Sequence, residues 1–261
     1  MEGSQEKENI QSTEDNVYLV YKNIGETPLE VINRFRKSNN KFSSSSITYA
    51  GRLDPMAEGL LILLTDEKVH EKEHYLNLEK TYEIEILWGV GTDTEDLLGI
   101  ITDTKFQIPN KDAVEDYLKK SVGVFEQNYP AYSSKPVNGK PLFAWAREGK
   151  LHEVQIPSHE VSIFNTEYLE RKEILSIDLY KILEERIKLV SGDFRQKEIL
   201  KKWEQVLRNS SQNYIIDKFT VSVSSGFYVR QFVSDMAKHF ETAGTTFYIK
   251  RLKIGEYTIA S

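Results

Sequence analysis

The chain has no cysteine among its 261 residues. That excludes disulfides, thiolate nucleophiles and zinc–thiolate centres, and leaves a cytoplasmic setting as the default expectation. No apolar run reaches the ~18 residues that cross a bilayer, so no membrane partner is expected. The first residues lack the apolar segment of a secretory signal. Neither a Gly-x4-Gly-Lys-Ser/Thr phosphate loop nor a Gly-x-Gly-x-x-Gly fingerprint occurs. His70 and His74 are spaced i,i+4 without a third ligand, so no metal site is expected there. Nor does one sign of charge dominate, since 34 basic against 40 acidic residues give −6.

The charge is unevenly spread. Residues 1–16 hold five acids and one base and read as a disordered acidic tail. Residues 22–54 hold six bases and three acids, and residues 181–208 eight and five. A basic face on an acidic chain therefore stays open, and the global sign neither supports nor excludes RNA.

Strand and helix patterns are mixed. Val17–Tyr21, Tyr82–Trp88, Tyr214–Ser224 and Arg251–Ile259 read as strands, and Tyr132–Val137 as extended. Thr27 followed by Pro28 starts a helix with Leu29, Ile32 and Phe35 on one side. Asn110 caps a helix over 111–120, Asn138-Gly139 marks a tight turn, and Val229 to Phe240 follow helical spacing. From about 170 to 210 the pattern is helical, with Ile199, Leu200, Trp203, Val206 and Leu207 on one stripe. Without regular βαβ alternation this composition points to an α+β fold.

Four stretches carry candidate chemistry. Thr48-Tyr-Ala-Gly-Arg-Leu-Asp-Pro-Met-Ala-Glu-Gly59 places a carboxylate before proline between glycines, which suits a fixed turn presenting Asp54; a plain Asp-Pro turn is the alternative. Lys80-Thr-Tyr82 precedes Thr92-Asp-Thr-Glu-Asp-Leu-Leu-Gly99, which lacks cation-loop spacing and reads as a solvated turn. Tyr129 to Gly149 interleaves aromatic and basic residues, the means by which a clamp stacks bases and meets phosphates; a hairpin packed on a helix would look alike. Ser224-Ser-Gly-Phe-Tyr-Val-Arg230 puts an arginine at a helix start, an end that favours anions, so an acidic partner is expected.

In this order the four stretches resemble the TruB family of pseudouridine synthases, over roughly 17–163 and 214–259. Gly51, Leu53, Asp54, Pro55, Ala57 and Gly59 agree with the family's Gly-His-Thr-Gly-x-Leu-Asp-Pro-x-Ala-x-Gly, whereas Thr48, Tyr49 and Ala50 replace Gly-His-Thr. Tyr132-Ser-Ser-Lys-Pro-Val-Asn-Gly139, Ser225 to Arg230 and Arg251-Leu252 follow the other family motifs, with Phe227 as a departure. The resemblance implies a pseudouridine synthase fold: a mixed, mainly antiparallel sheet flanked by helices, with a central cleft for RNA. Residues 17–261 would form that catalytic domain, with a helical insert at about 170–212 and no RNA-binding PUA domain. Between Gly149 and Gly226 lie 76 residues, about twice the family's spacing. The insert is expected to contact RNA or to pack.

The implied activity is isomerisation of a flipped-out uridine in the transfer-RNA T-arm, at tRNA position 55, by a monomer using no cofactor and no metal. Asp54 would be the nucleophilic or sugar-activating carboxylate, Arg230 its partner, and Tyr82 the stacking aromatic that helps remove the C5 proton. Lys22, Tyr49, Arg52, Tyr132, Lys135, Tyr228 and Leu252 are the implied substrate-binding residues. Lys22 would position Asp54 or meet a phosphate, and Leu252 would wall the base pocket. Gly-Arg-Leu-Asp at 51–54 is reminiscent of ribosomal-RNA synthases, so that substrate stays open beside a non-catalytic RNA chaperone.

Overall fold

The chain is seen in a computed structural model that describes residues 10–38, 40–208 and 213–258. In chain order the first elements are β1 (Ile10–Glu14), β2 (Val17–Lys22), α1 (Pro28–Ser38), β3 (Ile47–Ala50), β4 (Ala57–Thr65), α2 (Lys72–Asn77) and β5 (Lys80–Trp88). Next come β6 (Val90–Thr92), β7 (Ile101–Thr104), α3 (Lys111–Lys120), β8 (Gly123–Asn128), β9 (Pro136–Val137), β10 (Lys140–Pro141) and α4 (Leu142–Arg147). The last are β11 (Ser158–Leu175), α5 (Ser176–Lys188), α6 (Gln196–Arg208), β12 (Asn213–Val223), α7 (Val229–His239), β13 (Gly244–Ile254) and β14 (Tyr257–Thr258).

Ten strands make one sheet in the order β1-β2-β4-β13-β5-β12-β11-β8, with β3 on β4 and β14 on β13. Only the β4–β13 contact is parallel among the described pairs of this sheet. The mixed, mainly antiparallel sheet with flanking helices is thus as expected. Its two faces follow the period of the strand. Ile84, Ile86 and Trp88 of β5 pack with Phe232, Val233 and Met236 of α7 and with Val114 and Leu118 of α3. Leu87 turns to the other face, against Leu183, Ile187, Ile199 and Trp203 of α5 and α6. Helix α1 starts on a reciprocal cap: Thr27 N–H donates to Glu30 Oε2 at 2.6 Å, and Glu30 N–H to Thr27 Oγ1 at 3.3 Å. Asn110 caps α3, accepting from Ala113 N–H at 2.8 Å.

Four expectations need correction. Residues 10–14 of the supposed disordered tail form β1, paired with β2 and turning back at Asn16, whose φ is 65°. The open edge of β2 offers ladder hydrogen bonds, and Ile10 packs against the Tyr18–Phe35 cluster; both outweigh a polar composition. Residues 1–9 lie outside the described residues. The insert is not helical from 170: residues 170–175 continue β11 along β12, and helix begins at Ser176. Arg171 is drawn into the strand by the buried Asp217, with Nη2–Oδ2 at 2.6 Å, so tertiary pairing overrides local pattern. Leu29 of α1 is 64% exposed; Val31 takes its place in the core beside Ile32 and Phe35. The last strand also breaks: β13 ends at Ile254, the chain turns at Gly255, and β14 follows.

Candidate active site

The chain leaves β3 at Ala50, turns through residues 51–56, and re-enters the sheet as β4. Ala57 N–H bonds the carbonyl of Asp54 at 3.0 Å, closing a turn with Pro55 inside it. Leu53 is anchored in the α7-side core and Met56 in the α5–α6 core. Asp54 is therefore held at a loop apex between two anchored side chains.

Two buried cations serve this loop rather than solvent. Lys22 is fully buried, and its ammonium donates to the Ala57 carbonyl, to Asn23 O at 3.1 Å and to Pro55 O at 3.5 Å. Burial lowers its pKa to about 8. So placed, the Lys22 ammonium is committed to the carbonyls of the Asp54 turn, the geometry of the first of its two expected roles. Arg251, also buried, donates to Leu60 O at 2.7 Å, Gly51 O at 3.1 Å and Arg52 O at 3.5 Å. Gly59 is required where this strand passes: its φ is 111°, and a Cβ there would lie 2.3 Å from Arg251 O.

Arg230 enters from the first turn of α7. Its Nε donates to Asp54 Oδ2 at 2.7 Å, Nη1 to Thr94 O at 2.7 Å, and Nη2 to Tyr132 O at 3.3 Å. Asp96 Oδ2 lies 3.8 Å from Nε. The Arg230 side chain is 6% exposed, while that of Asp54 is 35% exposed, so the carboxylate is fixed yet open to a substrate. Burial opposes the guanidinium charge, but Asp54, Asp96 and Glu95 outweigh it and raise the Arg230 pKa. Burial pushes Asp96 up to about 6 and Glu95 up to about 7, against the pull of Arg230.

Tyr82 on β5 sits opposite Arg251 of β13 and shares a packed cluster with Leu53, Ala57, Phe227 and Val229. Leu252, half-buried, lies at a register shift between the pairs Arg251–Tyr82 and Lys253–Thr81. Around Asp54 the other expected residues form a basic and aromatic rim. Arg52 donates to Ser134 Oγ at 2.7 Å and to Tyr49 Oη at 3.5 Å, and Lys72 lies 5.4 Å over the Tyr49 ring. Tyr228 meets Tyr129 edge-on, Tyr129 stacks on His159 at 4.2 Å, and Lys135 lies 4.7 Å over Tyr129. Tyr132 differs from the rest. Its hydroxyl donates to Asp93 Oδ2 at 3.0 Å and its carbonyl accepts from Arg230.

The stretch 92–99 is not a solvated turn: Thr92, Thr94 and Asp96 are buried, with Asp96 accepting from Thr94 Oγ1 and Leu98 N–H. Its signal lay in the threonines and Leu97-Leu98 around the acids. Arg251 stands in a family motif, but nothing local marks it as a cation that serves carbonyls across the sheet, and no sequence signal marks His159. Among the described residues, no group of three or more His, Cys, Asp or Glu side chains is placed to hold a metal ion. No described helix is long and apolar enough to cross a membrane.

The sheet thus carries one open carboxylate against a buried arginine. Residues 39–188 match the TruB family pseudouridylate synthase N-terminal domain, and the chain belongs to that family. A tRNA pseudouridine synthase B of Aquifex aeolicus is 26% identical over 94% of this chain and 70% of its own length. One from Caldicellulosiruptor saccharolyticus is 27% identical over 93% and 68%. One from Dechloromonas aromatica is 34% identical over 60% and 50%. Among solved structures, a chain of a Cbf5-Nop10-Gar1 complex shares the fold with a TM-score of 0.55 at 15% identity, over 92% of this chain and 49% of that one. An H/ACA RNP bound to a substrate RNA containing 2′-deoxyuridine gives 0.54 at 14%, over 94% and 49%. The chain thus spans about half the length of the solved chains it resembles.

Proposed function

We propose that this chain is a transfer-RNA pseudouridine synthase in which Asp54 is the reacting carboxylate. The observation that carries the reading is the Asp54–Arg230 pair at 2.7 Å, with the cation buried and the carboxylate a third exposed. The reaction breaks the N1–C1′ bond of a uridine, turns the base and joins C5 to C1′; C5 loses its proton and N1 takes one up, so the product is an isomer. No electrons are gained or lost overall. Asp54 faces the sugar as the base departs, either attacking it or stabilising the positive charge that develops there. Arg230 fixes the orientation of that carboxylate through Oδ2 and sets a full opposite charge beside it.

A stacked uridine cannot reach this loop, so it is flipped out and received by the side chains beside it. Tyr82 receives the base face and Leu252 closes the pocket. Tyr49, Arg52, Lys135 and Tyr228 take the neighbouring nucleotides and phosphates, and Lys22 and Tyr132 keep the loop in place. The relatives' substrate class favours transfer RNA over ribosomal RNA. A T-arm transcript labelled with tritium at uridine C5 tests this. Tritium release by the wild-type chain supports it. Release only from a ribosomal-RNA fragment would refute the substrate, and release from neither would leave the chaperone reading.

A further inference from the structure

The loop between α5 and α6 lies in the insert, outside the family motifs, and it reaches the site. Residues 189–195 are held firmly. Leu189 fills the space beside Gly25, where a Cβ would lie 2.6 Å from Leu189 Cβ. The Gln196 side chain donates to Val190 O at 3.0 Å and Gly192 O at 2.8 Å, and accepts from Phe194 N–H at 2.9 Å. Arg195 itself has φ 65°, a conformation uncommon outside glycine.

This loop aims one guanidinium out of the insert. Arg195 Nη1 donates to Asp93 Oδ2 at 2.7 Å and Nη2 to Asp93 Oδ1 at 3.3 Å. The same group lies 5.2 Å from the centre of the Tyr132 ring. Asp93 Oδ2 also accepts the Tyr132 hydroxyl, and Oδ1 the Ile100 N–H at 2.8 Å. The Tyr132 carbonyl accepts from Arg230, which holds Asp54. A surface ion pair is worth little, but this one is two-pronged, shared with a third group, and only 28% and 21% exposed.

We propose that Arg195 is a positioning residue for the isomerisation, acting through Asp93 and Tyr132 on the Arg230–Asp54 pair. The insert is then a brace for the reacting loop, and the proposal rests on the function argued above. Arg195→Asn is the variant of choice, because asparagine tolerates positive φ. It should melt near wild type and slow single-turnover product formation at saturating RNA about tenfold, the size of one lost charge-assisted hydrogen bond. Tyr132→Phe should act through the same chain, so the double variant should be no slower than the slower single one. Arg195→Lys, which keeps one prong, should recover part of the rate.

An unchanged rate in Arg195→Asn, or effects of Arg195→Asn and Tyr132→Phe that multiply, would overturn the proposal. So would loss of fold in both Arg195→Asn and Arg195→Lys, which would make Arg195 a folding residue. Product from the wild type with no change in Arg195→Asn refutes the brace alone. No product from the wild type on any RNA refutes the brace and the assigned function together.

Discussion

Replacing Arg230 by methionine removes the one cation shared by Asp54, Asp96 and Glu95. At an effective dielectric of about 20, a charge pair at the 3.8 Å of Arg230–Asp96 attracts by about 4 kcal/mol gross. The 2.7 Å pair with Asp54 is screened because that carboxylate is a third exposed, so it adds less than its bare distance implies. Against these stands the desolvation of the arginine, which methionine avoids. Leaving a buried charge unpaired typically costs about 3–5 kcal/mol, and that is the expected loss at pH 8. The loss should shrink in acid. Asp96 and Glu95 have folded pKa values near 6 and 7, above ordinary values of 3.8 and 4.5. The folded state therefore binds protons more tightly than the unfolded one, and stability falls as pH rises from about 4 to about 7. Without Arg230 both groups hold their protons to still higher pH, so that window widens upward. Urea unfolding at pH 5.5 and pH 8, followed by tryptophan fluorescence, measures the difference. A destabilisation below about 1 kcal/mol at pH 8, or one equal at the two pH values, would refute the electrostatic account.

Gly59→Ala should destabilise the chain by ~2–5 kcal/mol, from a forbidden φ and a Cβ driven into the Arg251 carbonyl; urea midpoints within error of wild type would contradict that. Tyr82→Phe keeps an aromatic face, so RNA affinity should hold while product formation slows; an equal rate would exclude the hydroxyl. Trp203→Ala removes a fully buried indole from the core that also anchors Met56. It should cost about 3–5 kcal/mol in thermal or urea unfolding, and a shift under 1 kcal/mol would show the insert to be loosely packed.

Much of the frame is legible in the chain itself. Alternation in 82–88, the Thr27–Glu30 cap, the Asn110 cap and the turn at Asn138-Gly139 are local signals, and each sits where its residues place it. An arginine at a helix start points to an acidic partner, the family resemblance implies that Asp54 is that partner, and the Asp54–Arg230 contact is found. What stayed hidden depends on distant partners. Strand β1 exists because β2 has an open edge, and residues 170–175 extend because Asp217 awaits Arg171. That Lys22 and Arg251 are buried, serving backbone carbonyls, shows only once the sheet closes over them. Asp96 looks like part of an acidic turn until Arg230 arrives from 134 residues away.

The central claim is that the Asp54 carboxylate does the chemistry. Asp54→Asn keeps the shape of the side chain and its contact with Arg230 while discarding the charge. Tritium release from a C5-labelled T-arm transcript, measured in a single turnover alongside filter binding of the same RNA, tests it most directly. The account predicts no detectable release with RNA affinity close to wild type; release at the wild-type rate would contradict it.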